Sequence, residues 1–217
     1  GRKLVRAAEY AADQGRHDQA RALARMALSV PLTRFTADDA DQLGRVGLLC
    51  ERAEEFELAA RYYEQMAVLQ PESDWPVHRL ALLDARAGRY QEAERILLRA
   101  VDTIPEHEGA LVTLGWVYLS QGKLNEARLI VGPVIASGSS PSWKAWAHWL
   151  SAQLHLRQNE AEFAFEDIKE CARLRISLNM IDDVIRMYEE ALTIRSLSPH
   201  KRYFEEQIRV LRSGGNP

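Results

Sequence analysis

Apolar positions recur along the chain in paired amphipathic blocks, and the pairs repeat. Val77, Leu80, Ala81, Ala93, Leu97 and Ala100 fall at the same offsets as Leu111, Leu114, Gly115, Ala127, Val131 and Val134, 34 residues further on. One period earlier, Leu43, Val46, Gly47, Ala59, Tyr63 and Met66 hold the equivalent places, and Phe56, Tyr90 and Leu124 align as well. The spacings within each block put these residues on one helical face. A period of this length fits two helices joined by a turn. Three contiguous copies result, 40–73, 74–107 and 108–141. Small residues (Gly47, Ala81 and Gly115; Ala59, Ala93 and Ala127) mark where the two helices of a pair cross closely. Tyr63, Leu97 and Val131 fill the space toward the next pair. Gly88 and Gly122 supply the turn, because glycine reaches positive φ without a steric penalty, and Pro71 and Pro105 end the second helix.

The flanks carry weaker versions of the pattern. Residues 1–34 form a thin first copy, with Leu4, Ala8, Gly15, Ala20, Ala24 and Ala27 in register and Pro31 one place early. Its apolar positions are mostly alanine, which buries little area. An insertion at 35–39 follows, where Thr36 and Asp39 resemble a capping box and predict a helix start near Ala37. Beyond 141, Ser140 reads as an N-cap with Pro141 in the first turn of a degenerate hairpin, 142–175. There Trp143, Trp146 and Leu150 share a helical face, with Trp149 beside it. An aromatic stripe at this spacing reads as core, packed around Leu129 and Val134; an exposed tryptophan would instead make it a partner-binding patch. Asn179 with Asp182 opens a further helix and Ser198-Pro199 caps the last one. The pair 176–212 covers the end of the array, and 213–217 reads as a disordered tail.

Leu111, Leu114, Gly115 and Tyr118, followed by Ala127, resemble the signature of the tetratricopeptide repeat (TPR). The departures are Leu111 in place of the usual tryptophan, Ser139 in place of the terminal proline, Asp84 where an aromatic is common and Glu54 where glycine is common. The resemblance implies an all-α, right-handed α-solenoid of helix–turn–helix hairpins closed by a C-terminal helical cap. It also implies a non-catalytic scaffold for protein–protein interaction, with the first helices lining a concave groove. The groove positions are then Arg45, Leu48 and Arg52 from one copy, Trp75, His78, Arg79, Leu82 and Arg86 from the next, and Val112 and Trp116 from the third. Such a lining suits a peptide or helix of another protein carrying acidic and apolar residues, since arginine grips carboxylates bidentately. The competing expectation is that these arginines pair with Glu51, Asp84 and neighbouring acids as a solvated face. One TPR subclass clamps a C-terminal carboxylate, but in either register only Arg79 keeps the required chemistry, which argues against that mode. Family members serve inside assemblies, the bacterial ones in secretion, envelope or polysaccharide-export machinery. Two alternatives stand beside the groove: a segment of a longer protein that positions an attached domain, and homo-oligomerisation through the convex face or the last helices, seeded by Tyr203, Phe204 and Ile208.

Composition narrows this only modestly. The chain has 217 residues, 47% of them hydrophobic and 27% charged, which suffices for a buried core. A net charge of −3 argues against nucleic acid as the partner, because phosphates call for a basic field. No apolar run is long enough to span a membrane, and Gly1-Arg2-Lys3 leads straight into an amphipathic segment rather than a signal peptide. The start at Gly1 reads as a piece cut from a longer protein. The excess of arginine over lysine hints at a GC-rich bacterial genome. Cys50 and Cys171 lie too far apart in the array to bridge and read as free thiols. That leans toward the cytoplasm, although the periplasm tolerates an unpaired thiol too. Cys50 falls on a core face as a structural thiol. His148 and His155 share a face, with no cysteine or acid to complete a ligand set, and Glu106-His107-Glu108 has no second histidine near it. No metal, nucleophile-elbow, phosphate-loop or dinucleotide motif is present. Asp182-Asp183 and Glu189-Glu190 are adjacent and splay. The expectation is therefore no cofactor, no metal and no catalysis.

Overall fold

The computed structural model describes residues 2–29, 35–73, 75–103 and 107–214. Among these the chain forms twelve α-helices and no strand. They pair in order: α1 (Arg2–Asp13) with α2 (His17–Leu28), α3 (Ala40–Arg52) with α4 (Phe56–Leu69), α5 (Trp75–Arg86) with α6 (Tyr90–Thr103), and α7 (Glu108–Ser120) with α8 (Leu124–Ser137). Then come α9 (Pro141–Arg157) with α10 (Ala161–Ser177), and α11 (Ile181–Thr193) with α12 (Lys201–Arg212). The fold is an all-α solenoid of helical hairpins. The chain divides into two compact units, Gly1–Thr113 and Leu114–Pro217.

One backbone device closes the first helix of five hairpins. The second residue after the helix end takes a left-handed conformation, with φ between +59° and +76°, at Gly15, Glu54, Gly88, Gly122 and Asn159. The next residue then donates its N–H back to a carbonyl in the last turn: Arg16 to Ala11, Glu55 to Cys50, Arg89 to Asp84, Lys123 to Tyr118 and Glu160 to His155, all at 2.8–2.9 Å. This satisfies a carbonyl the helix end would otherwise orphan. Asn179 does the same between α10 and α11, with Met180 donating to Arg175 at 2.9 Å. Asn179 therefore closes α10 rather than opening α11, which begins at Ile181 without a side-chain cap. Ser198 and Pro199 likewise lie inside a 3₁₀ turn, Arg195–His200, and α12 starts only at Lys201. By contrast, Asp39 accepts the Thr36 N–H at 2.7 Å, in a 3₁₀ turn that leads into α3, and the Ser140 hydroxyl accepts from the Trp143 N–H at 3.5 Å with Pro141 at the helix start.

The crossings use the small residues foreseen for them. A Cβ on Gly47 would collide with the Tyr63 ring, and one on Gly115 would lie 2.5 Å from Val131 Cγ2 and 2.9 Å from Leu150 Cδ2. Ala59, Ala93 and Ala127 are fully buried, as are Tyr63, Leu97 and Val131. In the first hairpin Ala24 stands where those large residues stand elsewhere. A cleft of about 700 Å³ opens there between α1, α2 and α3, lined by Ala8, Ala20, Ala24, Val46 and Cys50. Tyr62 closes over α2, donating its hydroxyl to the Ala24 carbonyl at 2.7 Å.

The second unit centres on Ile168, Cys171, Val184, Tyr188 and Phe204. Phe165 stacks on the His200 ring at 3.7 Å and meets Tyr203 and Phe204 edge-on. Phe204 and Ile208 are buried and Tyr203 half-buried, so the residues expected to seed self-association are spent inside the chain. Pro105, Glu106 and most of the expected tail, 215–217, lie outside the described residues.

Glu54 has a Cβ in a conformation that disfavours one, and its side chain is exposed. Glu54→Gly is expected to raise the unfolding free energy by about 1 kcal/mol, and Gly88→Ala to lower it by about the same, in urea titrations followed by circular dichroism.

Candidate functional site

In the first unit α3 and α5 lie side by side. The absence of a side chain on Gly44 lets Trp75 approach, since a Cβ there would be 3.0 Å from the indole. Seven residues on, Glu51 in the last turn of α3 is almost wholly buried, at a position that is Ala85 and Leu119 in the following copies. Its carboxylate accepts the Tyr63 hydroxyl at 2.5 Å and the Arg79 Nε and Nη2 at 2.9 and 2.5 Å, while Arg86 Nη1 reaches the other oxygen at 3.3 Å. Burial, then the Glu51 hydrogen bond, pushes the Tyr63 phenol far above its ordinary pKa. Burial works against the Arg79 charge, but Glu51 and Tyr63 together outweigh it and raise the guanidinium's pKa. The Arg79 guanidinium also sits 5.9 Å from both the Tyr63 and Trp75 ring centroids.

The expected arginine stripe is thus paired from within. Arg45 binds Glu9 of α1 at 2.5 Å, Arg79 and Arg86 share Glu51, and Asp84 takes Arg89 at 2.7 Å. One carboxylate faces two guanidiniums, and the surplus charge rests on Arg86, whose side chain is 54% exposed. Leu48, Trp75 and Leu82 are half-buried beside it. His78 and Val112 are buried and present little to a ligand. The Arg52 side chain lies outside the described residues. Trp116 belongs to the second unit, half-buried, its carbonyl accepting the Ser120 hydroxyl at 2.9 Å. Glu51 and Asp84 were foreseen as arginine partners, whereas Glu9 was not, because it meets Arg45 only through the packing of α1 on α3.

The second unit corrects two expectations. The tryptophan stripe is core only in part: Trp149 packs against the second unit's core, and Trp146 is exposed. The buried face of α9 runs through Ala145, Ala147, Leu150, Ala152 and Leu154, where small residues allow close approach. That leaves Trp143 and Trp149 half-buried and Trp146 47% exposed. Leu129, expected beneath the stripe, is itself 76% exposed. The histidines do find an acid: Asp167 of α10 lies 2.8 Å from His148 Nδ1 and 3.6 Å from His155 Nε2, and Glu160 lies 2.6 Å from His155 Nδ1. Among the described residues no group of three or more His, Cys, Asp or Glu side chains is arranged to hold a metal. Asp183 pairs with Arg186 and Glu189 with Arg212. Both cysteines are free and buried; burial pushes the Cys50 thiol up to about 12 and the Cys171 thiol up to about 11.

The family described as tetratricopeptide repeat matches residues 84–145. That stretch of the chain is tetratricopeptide repeat. Solved structures share the fold at low identity. One is a tetratricopeptide repeat protein from Parabacteroides merdae, 15% identical, which covers 96% of this chain and 83% of its own with a TM-score of 0.61. Another is a thermophilic TPR protein in Thermus thermophilus, 16% identical over 78% of this chain and 99% of its own, with a TM-score of 0.53. BtubC from P. vanneervenii is 16% identical over 79% of this chain and 78% of its own, with a TM-score of 0.57. No curated protein matches in sequence. TPR proteins bind other proteins, and this chain has the fold of such a scaffold. No helix among the described residues is long and apolar enough to cross a membrane.

Two outcomes follow for the core. Glu51→Ala strands Arg79 in a largely buried site and is expected to cost about 3 kcal/mol in urea unfolding, whereas Glu51→Met with Arg79→Met costs less than the single change. Both thiols are expected to react with Ellman's reagent at least about a hundredfold more slowly in the native chain than in urea, because burial suppresses the thiolate.

Proposed function

We propose that this chain is a non-catalytic scaffold that holds a peptide or helix of a partner protein against the α3–α5 surface of its first unit, as part of a multiprotein assembly. The observation that carries this reading is the charge imbalance at Glu51. Its carboxylate is shared between two guanidiniums, so Arg86 keeps donors and charge available to an acidic side chain. Leu48, Trp75 and Leu82 supply apolar and aromatic contact beside it, the composition found at interface centres. The preferred partner segment therefore carries an acid next to apolar residues. Arg79 is not the recognition group, because its guanidinium is committed to Glu51 and to two rings. Its role is to hold α5 against α3 and so to fix the surface on which Arg86 stands.

The test is site-specific photocrosslinking in cells that carry the gene, with p-benzoylphenylalanine at Leu82 and, as a control, at the exposed Val68 of α4. A discrete adduct is expected from Leu82 and not from Val68. Arg86→Glu should lower its yield by about tenfold, the loss that goes with one charge-assisted hydrogen bond. Equal adducts from both positions, or a yield unmoved by Arg86→Glu, would remove the α3–α5 surface from consideration.

A further inference from the structure

The charged residues of the second unit are distributed in an unexpected way. Five exposed arginines have carboxylate partners: Arg128 with Glu160, Arg173 with Glu170, Arg186 with Asp183, Arg209 with Glu206 and Arg212 with Glu189, while the exposed Arg157, Arg195 and Arg202 have none among the described residues. Arg175, only 9% exposed, pairs with no carboxylate among the described residues. Burial normally works the other way, since a charge taken out of water needs a partner more than one left in it. What Arg175 does have is the carbonyl end of α10, which favours a cation in the last turn, and the face of Trp146, whose ring centroid lies 5.2 Å from its Cζ. Neither uses its N–H fork, and none of its nitrogens is among the buried side-chain atoms that lack both solvent and a hydrogen bond. At 9% exposure the side chain keeps only a narrow solvent edge, beside an indole that is itself 47% exposed. Leu178, also exposed, follows at the end of α10, its N–H 3.2 Å from the Arg175 carbonyl.

We propose that Trp146 and Arg175 form a docking site for a partner peptide that presents a carboxylate side chain next to an apolar one. The carboxylate takes the free edge of the guanidinium in the two-pronged geometry that arginine and carboxylates share. The apolar neighbour lies on the exposed indole and Leu178. The guanidinium is already positioned by the ring and the helix end, so little side-chain freedom is lost on binding. A carboxylate fits better than a phosphate chain: the site offers a single guanidinium, and the protein's net charge is −3, whereas a nucleic acid calls for a basic field along its length. The site uses none of the residues of the α3–α5 surface and stands whether or not that surface binds.

The test uses random peptides displayed on phage, panned against the full chain at low salt. A selected sequence is then synthesised and its affinity measured by fluorescence anisotropy, with circular dichroism confirming the fold of each variant. Enrichment of Asp or Glu beside Leu, Phe or Trp is expected. Trp146→Ala and Arg175→Met should each weaken the peptide by about tenfold or more, Arg175→Lys by less, and Arg86→Met not at all. In a double-mutant cycle, replacing the peptide's acid by its amide should cost about tenfold against the wild-type chain and almost nothing against Arg175→Met. Should Arg175→Met fail to fold, Trp146→Ala and the peptide amide still decide the matter. Peptides without an acid, no coupling in the cycle, or no enrichment at all would overturn the proposal. A loss seen only with Arg86→Met would assign the binding to the first unit instead. Tighter, Arg175-dependent binding of single-stranded oligothymidylate would make the ligand a nucleic acid and also overturn it.

Discussion

The first helix of hairpin after hairpin is ended by a backbone bond from the residue beyond the left-handed position to a carbonyl in the last turn. That bond keeps the connection short, so the second helix must run back along the first. It also sets the register in which the two meet. Gly47 faces the Tyr63 ring, and Gly115 faces Val131, only because the turn brings the returning helix to that height. A longer connection would leave the register to side chains alone, and the small residues at the crossings would then open voids. The demand on sequence is slight: tolerance of positive φ at one residue. Glycine meets it three times in the hairpins and asparagine once, while Glu54 meets it at the expense of some strain.

With the backbone closing the hairpins, side chains are free to join one hairpin to the next, and Glu51 does so in the first unit. It occupies a core position in the last turn of a helix, where a negative charge is disfavoured both by burial and by the carbonyl end. Two guanidiniums from α5 and a phenol from α4 offset both penalties. An apolar residue would serve packing as well, as Ala85 and Leu119 do in the following copies. The ionic arrangement adds direction: it fixes Arg79, and through it the face of α5 that carries Leu82 and Arg86.

The repeating part of this structure was legible because it rests on period and on residue size. The turns at Gly88 and Gly122, the crossings at Gly47 and Gly115, the thin first hairpin and the cap at Ser140 all follow from local pattern. The misreadings share a different cause. Of Trp143, Trp146 and Leu150 only Leu150 is buried, because the inward face of α9 is centred on Ala145, Ala147 and Ala152, whose small size lets neighbours close in. Asn179 has the chemistry of both an N-cap and a left-handed helix stop, and the backbone bond from Met180 selected the second. Asp167 completes the histidine pair from another helix, nineteen and twelve positions away in the chain, a relation that no single-helix periodicity contains.

The regular positions are consumed by folding, so the proposed recognition falls to positions where the copies differ. Trp75 and Trp146 make the point, since each lies thirteen residues before the left-handed residue of its own turn, at Gly88 and Asn159. Each has a guanidinium over its ring, Arg79 at 5.9 Å and Arg175 at 5.2 Å. At Trp75 the cation is neutralised by Glu51, and the result is a rigid internal joint whose spare charge is displaced onto Arg86. At Trp146 no acid among the described residues pairs with the guanidinium. The same indole–arginine pairing therefore serves cohesion in one unit and stands without a carboxylate in the other. The difference between them is a single buried carboxylate.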